Sequence, residues 1–195
     1  MIDFTLHIYR FLLESLLQQG YQFLTFEQYL QAKNDLPAEG DLQAQNDLPA
    51  EGDLRAKRSS NEVIFKQSDL LAEVIFKQSD LPAEGDLPSK YIILRHDVDL
   101  KAANSLATAR IEHELGICAS YYFRVVPQSN QPDMIRAIVA LGHEIGYHYE
   151  DMAIMHGDTQ KAYAHFQQQL TYFRQFYPVR TICMHGAPTS QWDGK

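Results

Sequence analysis

At 195 residues the chain has the length of one domain, and a composition that is 45% hydrophobic and 11% aromatic is enough to build a core. A formal net charge of -8 offers no basic surface to nucleic acid or to an anionic membrane, so a small or neutral partner is expected. The two cysteines, Cys118 and Cys183, each lie inside an apolar segment, which reads as core filling in a reducing compartment rather than as a disulfide.

The N-terminal stretch is too polar for a signal peptide, because Asp3, His7, Arg10 and Glu14 interrupt it, and no other stretch is long enough to span a bilayer. A cytoplasmic address is expected. Phe4, Ile8, Phe11, Leu12 and Leu16 follow helical spacing, and Gly20 stops that helix. YQFLTF then reads as a short strand and FEQYLQAK as a second helix. From Asn34 the pattern changes. NDLPAEGDL occurs at 34–42 and again at 46–54, and EVIFKQSDL at 62–70 and again at 73–81. Units this short, rich in Pro, Gly, Asp and Glu, do not carry a solenoid face, and they predict a repeat-rich, disordered insertion over 34–89. It divides a flank, 1–33, from the remainder, 90–195.

Past the insertion the periods alternate. YIILR predicts a strand, KAANSLATARIEHELG a helix closed by Gly116, ASYYFRVV a strand and DMIRAIVALG a helix closed by Gly142. HEIGYH predicts a strand, the stretch from Thr159 to Tyr177 a long helix stopped at Pro178, and VRTICMH a last strand. Strands alternating with helices mean βα units and a parallel sheet, whose functional site forms at the carboxyl ends of the strands.

Those ends are where the charge falls. The first carries Arg95, His96, Asp97 and Asp99, the second Arg124, the third His148, Glu150 and Asp151, and the last His185. Each has an ordinary structural reading. Asp99 is placed to cap the following helix, Asp151 suits a turn, and a single histidine at either later end is more often structural than a ligand. Their convergence at one end of one sheet is what these readings leave over. Histidine with aspartate is the donor set of a catalytic divalent ion, zinc first, with manganese, cobalt or iron also suited. A carboxylate near such an ion but not spent on it can serve as general base. His113, His143, His156 and His165 lack a carboxylate neighbour at a strand end and are set aside.

With RHDVD at 95–99, GHEIGYHYED at 142–151 and HGAP at 185–188, the chain resembles the NodB-homology polysaccharide deacetylases, carbohydrate esterase family four. It is most similar to a branch that reads RHDVD in the first motif. The resemblance covers the N-terminal flank and the region from about Tyr91 onward. It implies an α/β fold, a (β/α) barrel of the polysaccharide-deacetylase type, of which about half to two thirds is encoded here. It implies Asp97 as catalytic base and Asp99 and His148 as metal ligands. His185 stands where the family places an arginine near base and substrate. Met152 occupies the position of the family's second metal histidine, so Asp151, Glu150, His96 or His185 must complete the shell. The implied activity is hydrolysis of N- or O-acetyl groups on an acetylated carbohydrate. The later motifs, including a general-acid histidine, lie beyond the residues present, so weak or absent activity and self-association through an open sheet edge are expected. Two rival readings stand beside it: a non-catalytic module that binds a glycan or partner, and a fragment without independent function.

Overall fold

A computed structural model of the chain describes residues 5–33, 87–187 and 190–192. Apart from 87–89, the expected insertion lies outside the described residues.

Among the described residues, six strands and six helices follow in order: α1 (Leu6–Gln18), β1 (Gln22–Leu24), α2 (Phe26–Ala32), β2 (Tyr91–Ile93), β3 (Arg95–Val98), α3 (Ala102–Glu114), β4 (Ser120–Phe123), α4 (Pro132–Ala140), β5 (Glu144–Tyr149), α5 (Asp151–Ile154), α6 (Thr159–Phe173) and β6 (Ile182–Met184). All strand pairings are parallel. β1 pairs with β2, while β3, β4, β5 and β6 lie side by side in chain order. Only Leu94 separates β2 from β3, and its carbonyl accepts from the Ser120 amide at 2.9 Å. The stretch 91–98 therefore runs as one lane, with β1 beside its first half and β4 beside its second. Such a stagger accompanies curling of a parallel sheet, and the result is a mixed α/β fold built on a curled half-barrel.

Strand periodicity gives the sheet two unlike faces. Val98, Tyr121, Phe123, Ile145 and Tyr147 point one way and pack with Ala109, Ile135, Ile138, Leu170 and Phe173 from the helices. Burying each large side chain there contributes roughly 1.5–3 kcal/mol. The alternate positions, Arg95, Asp97, Ser120, Tyr122, Glu144, Gly146, His148 and Cys183, share the opposite, concave face, as the register pairs show.

At the amino end of the sheet this face is closed by the start of α2. Thr25 caps that helix in a capping box with Gln28. The next two amides reach inward, Phe26 N–H to Ser120 Oγ at 2.9 Å and Glu27 N–H to Glu144 Oε2 at 3.2 Å. Glu144, 1% exposed, also accepts from Ser120 Oγ at 2.5 Å and from Thr181 Oγ1, so its charge is fully hydrogen-bonded. Gly146 leaves the space that the Tyr122 ring fills. A Cβ there would overlap Tyr122 and stand 2.9 Å from the Thr181 carbonyl, which as backbone cannot give way.

Several expectations are corrected. The face of α1 that packs is centred on Tyr9 and Leu13, whereas Phe11 and Leu12 of the expected apolar stripe are 66% and 44% exposed. Tyr9 faces inward because its hydroxyl finds a buried carboxylate, which outweighs the packing of Phe11. The strand begun at Tyr91 runs on past Arg95 to Val98, so His96 and Asp97 lie within the strand and only Asp99 follows it. The long helix stops at Phe173, short of Pro178. Both cysteines are free, and Cys118 is buried as expected, but Cys183 is only half-buried and lines the concave face. No described helix is long and apolar enough to cross a membrane.

Candidate metal centre

Four strands deliver the polar side chains, and β3, β5 and β6 bring three donor atoms together at the carboxyl end of the sheet. His148, last but one in β5 and 3% exposed, donates from Nδ1 to the Cys183 carbonyl at 3.1 Å. That bond fixes the tautomer and turns the Nε2 lone pair toward the site. His185, just beyond β6, is held by its amide on the Tyr149 carbonyl at 2.8 Å, which places its Nδ1 3.1 Å from His148 Nε2. Asp99, just beyond β3, completes a triangle, with Oδ1 3.2 Å from His185 Nδ1 and 3.7 Å from His148 Nε2.

The donor set fits a divalent ion. A tetrahedral shell with bonds of about 2.0 to 2.1 Å has edges of about 3.3 Å, close to the three separations observed. Asp99 Oδ1 is buried and makes no hydrogen bond, so a carboxylate oxygen is left without a donor where a cation would satisfy it. Burial outweighs the Cys183 hydrogen bond and the nearby Asp97 charge and holds the His148 pKa below the ordinary histidine value, which keeps the imidazole neutral. Asp99, His148 and His185 form one group able to hold an ion; Asp97, His148 and Cys183 form a second that shares His148.

Asp97 sits beside the triangle, its Oδ2 3.9 Å from His148 Nε2. Arg95, two residues earlier on the same face of β3, grips it through two bonds, Nε to Oδ1 at 2.8 Å and Nη2 to Oδ2 at 2.5 Å. Burial alone would raise the Asp97 pKa, but the Arg95 hydrogen bonds, with the Arg95 charge, bring it below the usual carboxylate range. An ionised, oriented carboxylate thus stands next to the donor triangle.

The remaining candidates are occupied elsewhere. Glu150 is paired with Arg124 at 2.6 Å. The Asp151 carboxylate, 3% exposed, takes the one Tyr147 O–H shared between its two oxygens at 3.0 Å each and a bond of 2.5 Å from His165 Nδ1. His96 points to the helix side, where its Nε2 lies 2.7 Å from Glu112 Oε1. Met152 lines a crevice with His185 and Trp192 and adds no hard donor. Of the four residues named to complete the shell, His185 alone reaches the triangle. The capping reading of Asp99 also fails, since Lys101 is the N-cap of α3 and no side chain caps that helix.

Three features escaped the sequence. Arg95 as the partner of Asp97 was legible from their spacing of two within a strand, once the strand is known to extend that far. The Asp151–His165 pair joins residues in different helices and has no local signal. The same is true of Glu112, 0% exposed, which accepts from Tyr9 OH, from Tyr121 OH at 2.7 Å and from His96. His143 stands against it, 3.6 Å away, donating from Nε2 to the Ala109 carbonyl at 2.9 Å and accepting the Ala119 amide on Nδ1 at 3.1 Å. No family model, no curated protein and no solved structure matches the chain.

Proposed function

We propose that the protein is a metal-dependent hydrolase of the polysaccharide-deacetylase type, acting on the N- or O-acetyl groups of a carbohydrate. The observation that carries this reading is the donor triangle Asp99, His148 and His185, with edges of 3.1 to 3.7 Å, beside a carboxylate gripped by arginine. The resemblance in the RHDVD and GHEIGYH stretches supplies the substrate class, and the sequential parallel half-barrel is the architecture that it implies.

In this reading Asp99, His148 and His185 hold a divalent ion, zinc first and manganese, cobalt or iron as alternatives. When bound, such an ion acidifies water and polarises a carbonyl. Asp97 is the general base. Arg95 keeps it ionised and aims it, and the Cys183 carbonyl fixes the His148 ring. His185, expected to stand in for an arginine beside the base, is instead assigned as third ligand, and Arg95 takes the arginine's place. The hollow on the concave face, lined by Phe26, Arg95, Tyr122, Thr181 and Cys183, offers an aromatic wall and polar groups to a hydroxyl-rich substrate.

Metal content tests the assignment. Asp99→Ala and His148→Ala should each weaken binding of one divalent ion per chain by roughly 100-fold or more, since loss of an outer-shell partner alone costs about 10- to 100-fold. His165→Ala should leave it intact. Equal ion content in all three would overturn the assignment. Acetate release from acetylated sugars, expected to be weak and to be abolished by Asp97→Asn with the ion still bound, tests the chemistry.

A further inference from the structure

The concave face holds a second set of donors. Asp97, His148 and Cys183 offer a carboxylate oxygen, an imidazole nitrogen and a sulfur that all lie within 4.8 Å of one another. Cys183 reaches the face because it is in register with His148 across β5 and β6, so the same residue gives its carbonyl to His148 Nδ1 and its thiol to the site. The thiol's one hydrogen bond is a weak one to the Met184 carbonyl at 3.7 Å. His148 has a single lone pair for a metal, on Nε2, where His185 Nδ1 lies 3.1 Å away, so the two donor sets exclude one another.

We propose that Cys183 makes this second set a site for a strongly thiophilic divalent ion, cadmium, and that its occupation is inhibitory. The proposal rests on the reading of Asp97 as base. Hard and borderline ions favour the oxygen and nitrogen donors of Asp99, His148 and His185, whereas a thiophilic ion gains a sulfur bond only at the second set. Arg95 sharpens the choice. Its guanidinium on Asp97 repels a dication there, so only an ion that forms a strong bond to sulfur overcomes it. On binding, the S–H bond breaks, a sulfur–metal bond forms and one proton leaves to solvent. The Asp97 carboxylate is then engaged by the ion and no longer free to accept a proton from water.

The test uses the whole chain titrated separately with cadmium and with manganese. Cadmium should produce thiolate-to-metal charge-transfer absorption and release a proton, and both signals should vanish in Cys183→Ser and Cys183→Ala but persist in Cys118→Ser. Manganese binding, followed by loss of the free-ion paramagnetic resonance signal, should be unchanged in both Cys183 variants and lost in Asp99→Ala. Cadmium absorption that survives both Cys183 substitutions, or no absorption in the wild-type protein, would overturn the proposal. If manganese binding were still lost in Asp99→Ala, the hydrolase reading would survive that failure. No binding of either ion would overturn both.

Discussion

The two faces of the one sheet are built on opposite principles. On the helix side, each charged or polar group that enters is closed off: Glu112 takes bonds from two tyrosines and His96, and His143 has both ring nitrogens on backbone groups. On the concave side the amino end is closed in the same way around Glu144, but the carboxyl end is left open, with Asp99 Oδ1 buried and without a hydrogen bond. The contrast teaches where to look for chemistry. Buried histidine and carboxylate occur on both faces, and what separates a structural cluster from a candidate site is whether the donors satisfy one another or converge on a point that none of them fills.

Three experiments would break or sharpen that comparison. The largest effect is expected on the helix side. Phe123 is 0% exposed in the core, and Phe123→Ala should destabilise the fold by about 3–5 kcal/mol through lost packing and the cavity left behind. His185→Ala should cost far less in denaturant midpoint while abolishing metal binding. A comparable loss of stability in both would mean that the donor triangle is a structural cluster after all.

Gly146→Ala is expected to cost about 1–3 kcal/mol, because the added methyl meets the Tyr122 ring and the fixed Thr181 carbonyl. Tyr122→Phe keeps the ring carbons that the methyl meets, and the carbonyl cannot move, so Gly146→Ala combined with Tyr122→Phe should stay destabilised. Full recovery in the double variant would show that the concave face is less tightly registered than β4, β5 and β6 imply.

The smallest effect is a pH dependence that belongs to the helix side. Burial, with opposition from the Glu112 charge and the Ala109 bond, lowers the His143 pKa below its unfolded value of 6.5. The unfolded chain therefore binds a proton that the folded chain does not, and stability falls as pH drops below about 6.5. For Glu112, burial would raise the pKa, but bonds from His96, Tyr9 and Tyr121 bring it below its unfolded value of 4.5. Its stabilisation is present above that value and is lost as pH falls through the folded pKa. Each group contributes at most about 1.4 kcal/mol per pH unit. In urea titrations from pH 8 to pH 4, the decline that begins near 6.5 should be shallower in His143→Gln, whose amide can keep both backbone bonds, with the remainder due to His148, whose pKa is also lowered by burial. An unchanged profile would remove His143 from the account.

The sequence determined the alternation of strands and long helices from Tyr91 onward, though not the short helix Asp151–Ile154, together with the parallel sheet and the gathering of histidine and carboxylate at its carboxyl end, because periodicity, glycine stops and βα alternation are local properties of the chain. Only the tertiary structure decided that His185, rather than Glu150, Asp151 or His96, joins Asp99 and His148. His96 lies within β3 and the others lie at or beyond a strand's carboxyl end, and which of them meet depends on inter-strand register, on the curl of the sheet and on competing partners such as Arg124, His165 and Glu112. The same non-local terms turned Tyr9 rather than Phe11 into the core and brought the Cys183 thiol to the concave face. A one-residue change of register would reverse the side on which that sulfur lies.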